Sequence, residues 1–423
     1  MHKKLLIGVG IVAVLIAAIF IVGPMRIAYW VGYRVPEPTP IPADGSADFL
    51  TLPPTVGARA FAQGLEGPRA IAFDPRGRMV VSEMKAGRIT RLDDTNRDGS
   101  AEARTVLMAG LTNPHGIAFY TNDAKKTFIY IAEERGVWRY PYDLATGSIT
   151  NTAKREQIMS FPVGGRHVTR TIAFGPKLRK NEIVSGPGAP KLSGFLSETK
   201  LYATVGSSCD VCVEEATWKY GSLLEADPEG TYTAEFAGGL RNTVFFTFHP
   251  ITKEIWGTDM GRDNLGDDLP PDEVNIIRSE QSYGWPFCYG DRVRDTKFNP
   301  GRFSRTDIQT DCAKTIPAAI ELPAHSAPLG IAFVPAKGWG SLGGQLLVAY
   351  HGSWNRSTPT GYKVVRFAVD AKGNVSDSGD FITGWLRDGK LFGRPVDLKF
   401  GPDGALYISD DAAGAIWRVA PQS

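Results

Sequence analysis

Residues 67–92 read GPRAIAFDPRGRMVVSEMKAGRITRL, and this stretch decides the fold. It contains an apolar run that ends at Phe73, a DPRG turn, a second apolar run, a short charged turn and a third apolar run. Short apolar runs separated by such turn residues are typical of antiparallel β-strands. The stretch therefore predicts one small antiparallel sheet.

The same pattern occurs six times along the chain. The other copies begin at residues 113, 170, 242, 328 and 394. The first apolar run of each copy carries a marker phenylalanine: Phe73, Phe119, Phe174, Phe248, Phe333 and Phe400. Repeats of about 40 to 50 residues with several strands each indicate a β-propeller. We therefore predict an all-β, six-bladed β-propeller, with loops accounting for the extra length of copies three to five. A β-sandwich with coincidental similarity is the alternative.

The composition argues against one class of partner. The 423 residues include 47 Lys and Arg against 45 Asp and Glu, which gives a formal net charge of +2. This balance gives no electrostatic reason to expect nucleic acid as a partner. The 47 glycines and 29 prolines suit a turn-rich β protein.

The N-terminus differs from the rest of the chain. Residues 5–22 form an uncharged run of 18, which is long enough to span a bilayer. No small-x-small cleavage site follows, so an uncleaved anchor is favoured over a removed signal. Lys3 and Lys4 would stay in the cytoplasm and place the bulk of the chain outside it. We predict an N-terminal transmembrane helix that anchors a periplasmic domain in the inner membrane. Secretion to the periplasm after signal cleavage is the alternative.

These features divide the chain into three parts. Residues 1–25 are predicted as a membrane anchor or signal segment, and residues 26–50 as a proline-rich linker. Residues 51–423 are predicted as the propeller domain.

The chain has four cysteines, and an even number in an exported domain indicates disulfides. Cys209 and Cys212 are close in sequence, and Cys288 and Cys312 bracket a loop. We therefore predict the pairs Cys209–Cys212 and Cys288–Cys312. A redox role for the CDVC motif and half of a metal site remain the alternatives.

The residues just before each first strand differ among the copies, and these differences indicate a site. In a propeller the first strands line the central channel, so the residues before them meet at its mouth. Four copies enter through proline, whereas copy three has His167 and copy four has Arg241 and Asn242. Arg394 precedes copy six, and His325 stands further out before copy five. Acids are nearly absent from this set, so the mouth is predicted to prefer an anion.

A lone histidine is more often structural than functional, but the offset of His167 places it at this mouth. We therefore favour a functional role for it.

Two acidic segments are candidate cation sites. Residues 258–275, TDMGRDNLGDDLPPDEVN, hold six carboxylates broken by glycines and a proline pair, so they form a loop. Such a loop can bind calcium through carboxylates or backbone carbonyls, and a solvated turn is the alternative. Residues 93–102 begin like an EF-hand loop, but Thr105 stands where the bidentate glutamate belongs. A plain hairpin turn is favoured there.

Several longer motifs together carry a family resemblance. They are GGRHVTRTIAFGP, LYATVGSSCDVCVEE, GLRNTVFFTFHP, GRDNLGDDLPPDEVN, YGWPFCYG, LLVAYHGSWNRSTPTGYKVVRF and GRPVDLKFGPDGALYISDD. From about residue 50 to its end, the chain resembles the pyrroloquinoline quinone (PQQ) dependent glucose/sorbosone dehydrogenases, most of all the sorbosone dehydrogenase branch. The resemblance implies a six-bladed propeller that binds PQQ and calcium.

The implied activity is oxidation of an aldose-like or sorbosone-like sugar or sugar aldehyde, with hydride transfer to PQQ. A quinone or a cytochrome would then accept the electrons. By resemblance, His167 is the general base. Arg241 is catalytic and contacts the quinone oxygens, with Asn242 as its neighbour.

The resemblance also implies further cofactor and metal contacts. Lys363 and Arg394 match basic residues that meet the PQQ carboxylates, and Met260 lies among the cofactor-binding residues. The backbone carbonyls of Gly261 and Arg262 would hold calcium. The sequence departs from the soluble glucose dehydrogenases at Met260 and Arg262, which stand in place of Gln and Pro. The segment that leads into copy six also has one arginine, whereas the soluble glucose dehydrogenases have two there.

Two other functions are compatible with the repeat pattern. One is a calcium-dependent propeller lactonase or hydrolase, which needs acidic and amide side chains around a central metal. The other is a non-catalytic propeller that serves as a binding platform for sugars or proteins.

Overall fold

Six antiparallel sheets of four or five strands form a ring in the computed structural model, which describes residues 37–179, 198–214, 217–302 and 310–422. The first strand, β1 (Val56–Ala62), belongs to the last blade. Blade one contains β2 (Pro68–Phe73), β3 (Met79–Glu83), β4 (Arg88–Asp93) and β5 (Ala103–Ala109). Blade two contains β6 (Ile117–Thr121), β7 (Thr127–Glu133), β8 (Gly136–Asp143), the short β9 (Ser148–Ile149) and β10 (Glu156–Ser160).

Blade three contains β11 (Ile172–Pro176), β12 (Thr199–Val205), β13 (Ser222–Ala226) and β14 (Thr233–Ala237). Blade four contains β15 (Thr243–Phe248), β16 (Ile255–Asp259), β17 (Asp272–Ile277) and β20 (Ile320–Leu322). A hairpin of β18 (Cys288–Tyr289) and β19 (Val293–Arg294) and the 3₁₀ turns Pro300–Arg302 and Cys312–Lys314 lie between β17 and β20.

Blade five contains β21 (Pro328–Phe333), β22 (Leu346–Tyr350), β23 (Lys363–Val369) and β24 (Val375–Ile382), with a 3₁₀ turn at Gly340–Leu342. A hairpin of β25 (Leu386–Arg387) and β26 (Lys390–Leu391) leads to blade six. Blade six contains β27 (Pro395–Phe400), β28 (Leu406–Asp410) and β29 (Ala415–Pro421). Its fourth strand is β1, which pairs antiparallel with β29 and so closes the ring.

The six predicted repeats are confirmed as the six blades. Every marker phenylalanine lies in the first strand of its blade. First strands of neighbouring blades contact each other, as β2 does with β6 and β21 with β27. The first strands therefore form the inner ring of the propeller.

Apolar side chains fill the spaces between blades. Between blades one and two, Val80, Ile89, Ile129 and Ile131 are fully buried in one cluster. Burying a side chain of this size contributes about 1.5–3 kcal/mol, so these layers hold neighbouring blades together.

An acid at the end of the second strand is a recurring feature of four blades. Glu83, Glu133, Asp259 and Asp410 are buried there. Each accepts hydrogen bonds from backbone N–H groups of the segment that leads into its blade, from Glu66, Thr112, Arg241 with Asn242, and Arg394 respectively. These acids therefore fix the approach segments. Blade three has Val205 at the equivalent position, the last residue of its second strand.

Part of the predicted linker packs on the propeller. The N–H of Thr39 donates to the carbonyl of Leu391 at 2.7 Å, and Thr51, directly after the linker, pairs with Thr383. Leu50 is buried. The predicted membrane segment, residues 5–22, lies outside the described residues. Among those described, no helix has the length and apolar character needed to cross a bilayer.

Both predicted disulfides are confirmed. Cys209 bonds to Cys212 and Cys288 bonds to Cys312. Among the described residues no cysteine is therefore left as a free thiol.

Candidate active site

A cavity of about 200 Å³ opens where the segments entering blades three, four and five meet. Among the predicted residues it is lined by His167, Arg241, Asn242, Met260, Gly261 and His325. Six further residues also line it: Arg166, Asp263, Asp272, Ala327, Trp354 and Asn355. Residues that the sequence offsets placed together therefore line one cavity.

The His167 imidazole is held by Ser207. Its Nδ1 lies 2.8 Å from the carbonyl oxygen of Ser207 and 3.0 Å from the Ser207 hydroxyl. A carbonyl can only accept, so the imidazole proton lies on Nδ1 and the Nε2 lone pair is free. Burial, followed by the charge of Arg241, lowers the pKa of His167 to about 3. The side chain is therefore a neutral, oriented base.

Arg241 is buried beside His167 and fully oriented by acceptors. Its Nη2 lies 2.8 Å from Asp210 Oδ1, and its Nε lies 2.8 Å from the Asp210 carbonyl oxygen. Its Nη1 donates to the carbonyl of Met260 at 3.2 Å. The Arg241 backbone N–H donates to Asp259 at 2.9 Å. Both ends of this residue are therefore fixed.

Asn242 carries a free buried oxygen. Its backbone N–H donates to Asp259 at 2.6 Å, and its Nδ2 lies 3.6 Å from the Met260 sulfur. Its Oδ1 is buried and accepts no hydrogen bond within the described part of the chain. A buried acceptor without a donor indicates an absent donor or cation at this position.

All six carboxylates of the acidic loop accept hydrogen bonds from the protein. Asp263 accepts from Arg166 at 2.6 Å and from Asn355 at 2.8 Å. Asp268 pairs with Arg356, and Asp267 accepts from Ser357. Asp259 accepts from the approach to blade four, Asp272 from the Gly261 N–H, and Glu273 from the Gly290 N–H. The loop carboxylates therefore join blade four to the loop after β22.

The inner acids of this loop are costly to ionise. Burial raises the pKa of Asp272 to about 6. Burial and the neighbouring charge of Asp259 raise the pKa of Glu273 to about 8. Buried acids with raised pKa values are stabilised by a nearby cation.

Gly261 contacts one of these acids, because its N–H donates to Asp272 at 2.9 Å. A Cβ at Gly261 would stand 2.7 Å from a Pro270 side-chain carbon, so only glycine fits there. The Arg262 guanidinium is paired with Asp295 at 2.8 Å. The predicted contribution of these two residues through their backbone carbonyls stays a prediction.

Lys363 and Arg394 do not line the cavity. The Lys363 Nζ pairs with Asp380 at 2.6 Å. The Arg394 guanidinium donates to the carbonyls of His351 and Gly352 at 3.2 and 2.9 Å. Arg394 thus holds the loop after β22, and the cofactor contacts of both residues stay predictions.

The mouth is less basic than its approach segments indicate. Asp263 and Asp272 line the cavity, and Asp210 is paired with Arg241. Asp210 and Asp263 come from loops that follow second strands, and Asp272 begins β17, so a comparison of approach segments does not include them. The preference of the mouth for an anion stays a prediction.

Trp354 and Asn355 were also missed by the sequence reasoning. They lie in the loop after β22, within the HGSWNR motif. The added length of copies four and five was the available signal, because the loops that reach the mouth lie in these copies.

The segment 93–102 forms the hairpin turn that the sequence favoured, because it joins β4 to β5. Asp94 accepts from the backbone N–H groups of Asp98 and Gly99. Carboxylate oxygens of Asp94, Asp98 and Glu102 lie within 4.8 Å of one another. Calcium binding at this turn remains an untested alternative.

A family model described as TrAA12-like matches residues 50–422. The chain belongs to the TrAA12-like family. The match covers all six blades, including the closing strand β1. The resemblance stated from the sequence motifs is thereby confirmed at the level of the family.

Three curated relatives are similar to this TrAA12-like chain. A PQQ-dependent sugar dehydrogenase of Hypocrea jecorina is 24% identical, over 91% of this chain and 90% of the relative. A PQQ-dependent pyranose dehydrogenase of Coprinopsis cinerea is 26% identical, over 85% of this chain but only 53% of the relative. An uncharacterised protein of Borreliella burgdorferi is 37% identical, over 52% of this chain and 57% of the relative. The chain thus spans little more than half the length of two of these relatives.

Solved structures share the fold. A calcium structure of a Trichoderma reesei family AA12 protein has a TM-score of 0.70 at 22% identity and covers 88% of this chain and 97% of that one. The holo form of the PQQ domain of pyranose dehydrogenase from Coprinopsis cinerea has a TM-score of 0.66 at 23% identity, with the same coverages. These similarities support the propeller fold of the TrAA12-like chain.

Proposed function

We propose that this TrAA12-like protein is a PQQ-dependent dehydrogenase that oxidises a sugar or a sugar aldehyde. The observation that carries the proposal is a neutral histidine, His167, oriented in one cavity beside the buried Arg241. The names of the curated relatives support the same reaction class.

His167 is the general base of the proposed reaction. Its Nε2 takes the hydroxyl proton of the substrate, because Nδ1 already carries a proton directed at the Ser207 carbonyl. PQQ, when bound, would supply the two-electron acceptor for the hydride of the carbon that carries this hydroxyl. Arg241 would offer positive charge to an acceptor group placed beside it in the cavity.

The residues around the cavity fit an anionic, planar cofactor. Arg241 and Arg166 bring two guanidinium groups, and arginine suits recognition of carboxylates. Trp354 adds an aromatic wall, of the kind that commonly lines ligand pockets. We propose that Arg241, Asn242 and Met260 hold PQQ, with Lys363 and Arg394 as outer contacts.

The same region fits a calcium ion. The free Oδ1 of Asn242 is a hard oxygen that accepts no hydrogen bond from any described residue. Asp272 and Glu273, behind the Gly261–Arg262 backbone, have pKa values raised by burial. A nearby cation would lower these pKa values and favour the ionised carboxylates. We propose that the carbonyls of Gly261 and Arg262 contribute its ligands.

Reduction of a dye by the purified protein tests the proposal. We expect dye reduction with an aldose or a sugar aldehyde only when PQQ and calcium are both present. Chelator treatment followed by PQQ alone should leave the protein inactive, and calcium should restore it. Hydrolysis of a lactone with calcium and no PQQ would support a hydrolase instead. Sugar binding without dye reduction under any condition would support a binding platform.

We further propose that the propeller lies outside the cytoplasm, held at the inner membrane by residues 5–22. The two disulfides support export, because they persist in oxidising compartments. Fractionation of cells should place the protein with membranes, and N-terminal sequencing should find residues 5–22 retained. A mature chain that starts near residue 30 or later would instead show a removed signal and a periplasmic protein. A quinone or a cytochrome is the proposed electron acceptor.

A further inference from the structure

A turn closed by a disulfide lies directly behind the cavity. Residues 207–212, hereafter the CDVC turn, follow β12 and include the bond between Cys209 and Cys212. Glu214 anchors the turn by accepting from the Ser208 N–H at 2.6 Å and from its hydroxyl at 2.7 Å. The turn is therefore a small, cross-linked unit.

Blade three depends on this turn because it lacks the acid that fixes other approach segments. Val205 occupies the position of Asp259 and Asp410, and its apolar side chain cannot accept a hydrogen bond. Instead, the Arg166 N–H donates to the carbonyl of Ser208 at 2.8 Å. The approach that carries His167 is thus fixed by backbone atoms of the CDVC turn.

The turn also fixes the imidazole. The Ser207 hydroxyl donates its proton to the Cys209 carbonyl at 2.8 Å, so its oxygen can only accept from His167 Nδ1. Gly206 permits this close approach, because a Cβ there would stand 2.7 Å from the His167 Cβ. Ser207 thus fixes the tautomer of His167.

Asp210 orients the Arg241 guanidinium, as Ser207 orients the His167 imidazole. Its Oδ1 accepts from Arg241 Nη2 and from the backbone N–H of Asp263, both at 2.8 Å. Its carbonyl oxygen accepts from Arg241 Nε at 2.8 Å. One residue therefore orients the guanidinium and connects it to the acidic loop at Asp263.

We propose that Asp210, held in the disulfide-closed CDVC turn, is a positioning residue. It fixes the position of Arg241, and of the loop that contains Asp263, relative to His167. This inference rests on the proposed function for its catalytic consequence, although the positioning itself does not require it. Asp210 does not line the cavity. It therefore acts through Arg241 rather than on the substrate.

Kinetics of two Asp210 variants give the first test. Asp210→Ala should lower kcat about 100-fold, since a misplacement of about 1 Å in an active site costs roughly this factor. Asp210→Asn keeps an acceptor for the Asp263 N–H but loses the negative charge that pairs with Arg241, so a smaller loss of about 10-fold is expected. The dissociation constant for PQQ should change by less than about 5-fold in both variants, because Arg241 keeps its charge.

Asp377→Asn is the matched control. Asp377 pairs with Arg366 at 2.7 Å on the outer strand of blade five, far from the cavity, and is 60% exposed. The charge change is the same as in Asp210→Asn. We expect this variant to keep wild-type kcat and wild-type affinity for PQQ.

Hydrogen exchange in the cofactor-free protein gives the second test, which needs no activity. The Asp263 amide donates to Asp210, so the peptide 260–266 should exchange about 10-fold faster in Asp210→Ala. The double variant Cys209→Ser/Cys212→Ser should show the same change, because it opens the turn. A peptide over β28, residues 406–410, should exchange at its wild-type rate in all variants.

Wild-type kcat in Asp210→Ala, or unchanged exchange of the peptide 260–266, would overturn the proposal. An equal loss of kcat, PQQ affinity and melting temperature would also overturn it, since that pattern indicates a merely structural role. A wild-type protein that never reduces dye with PQQ would reject the proposed function alone. The exchange experiment would then still decide whether Asp210 positions Arg241.

Discussion

His167→Ala should lower the rate of sugar oxidation roughly 10²–10⁴-fold, which is the usual cost of losing a general base. His167 is the cavity histidine whose Nδ1 is held by the Ser207 carbonyl, so its removal leaves no oriented acceptor for the hydroxyl proton. PQQ affinity should be nearly unchanged, because a neutral imidazole contributes no charge to binding. Steady-state kinetics and titration of PQQ by absorbance measure the two quantities separately.

The pH profile of the wild-type enzyme adds a check on the same residue. Burial and Arg241 lower the pKa of His167 to about 3, so the base form persists as the pH falls through 6.5. The acid limb of kcat due to His167 should therefore lie below about pH 5 rather than near the usual histidine pKa of about 6.5. His249→Ala is the control, since His249 lies at the far end of β15 from Arg241. Near-normal turnover in His167→Ala would remove His167 from the mechanism.

Arg241→Ala should weaken PQQ binding about 10- to 150-fold. A buried, charge-assisted contact contributes about 1.5–3 kcal/mol, which corresponds to this range. The upper end is expected because the substitution also leaves Asp210 without its guanidinium partner, whereas Asp263 keeps Arg166. An uncompensated carboxylate behind the cavity would repel an anionic cofactor.

PQQ titration with and without calcium, on the wild type and on Arg241→Ala, measures this effect. Arg366→Ala is the control, because Arg366 pairs with Asp377 on the outer side of blade five. It should bind PQQ as the wild type does. If the wild type shows no saturable binding of PQQ in calcium, the dehydrogenase proposal fails and a binding platform becomes the better proposal.

The blades could be predicted because each of them repeats the same local chemistry. A phenylalanine near the end of an apolar run and a turn such as GPDG recur where a first strand passes into a second. These signals are local, so they survive long insertions between the copies. The offset of His167 from Phe174 then placed it at the mouth, and the cavity contains it.

Side-chain direction was the part that the sequence could not provide. Arg394 stands directly before β27 as expected, but its guanidinium donates to the carbonyls of His351 and Gly352. Trp354 and Asp263 reach the cavity from loops that follow second strands, and no repeat pattern extends into those loops. Which loops cover the mouth depends on long-range contacts such as that between Asp263 and Asn355.

The acidic loop shows why residue composition alone was ambiguous. Six carboxylates in one segment suggested a cation site, yet each of them accepts hydrogen bonds from the protein. Four blades place an acid at the end of the second strand to hold backbone N–H groups, and Asp259 is one of these. A buried structural acid and a metal ligand look the same in a sequence. Only the hydrogen-bond donors around the carboxylate in the structure distinguish them.

The closing of blade six by β1 has a consequence for the nascent chain. Arg69 and Asp411, which form an ion pair at 2.8 Å across the junction of blades one and six, are 342 residues apart. During translation β1 emerges from the ribosome early, but its partner β29 emerges only after nearly the whole chain has been made. Until then, blade six lacks three strands and β1 is an unpaired edge that is prone to wrong association. The ring is therefore completed only after synthesis, so a chain truncated before residue 415 should be cleared by proteases rather than accumulate as a five-bladed protein.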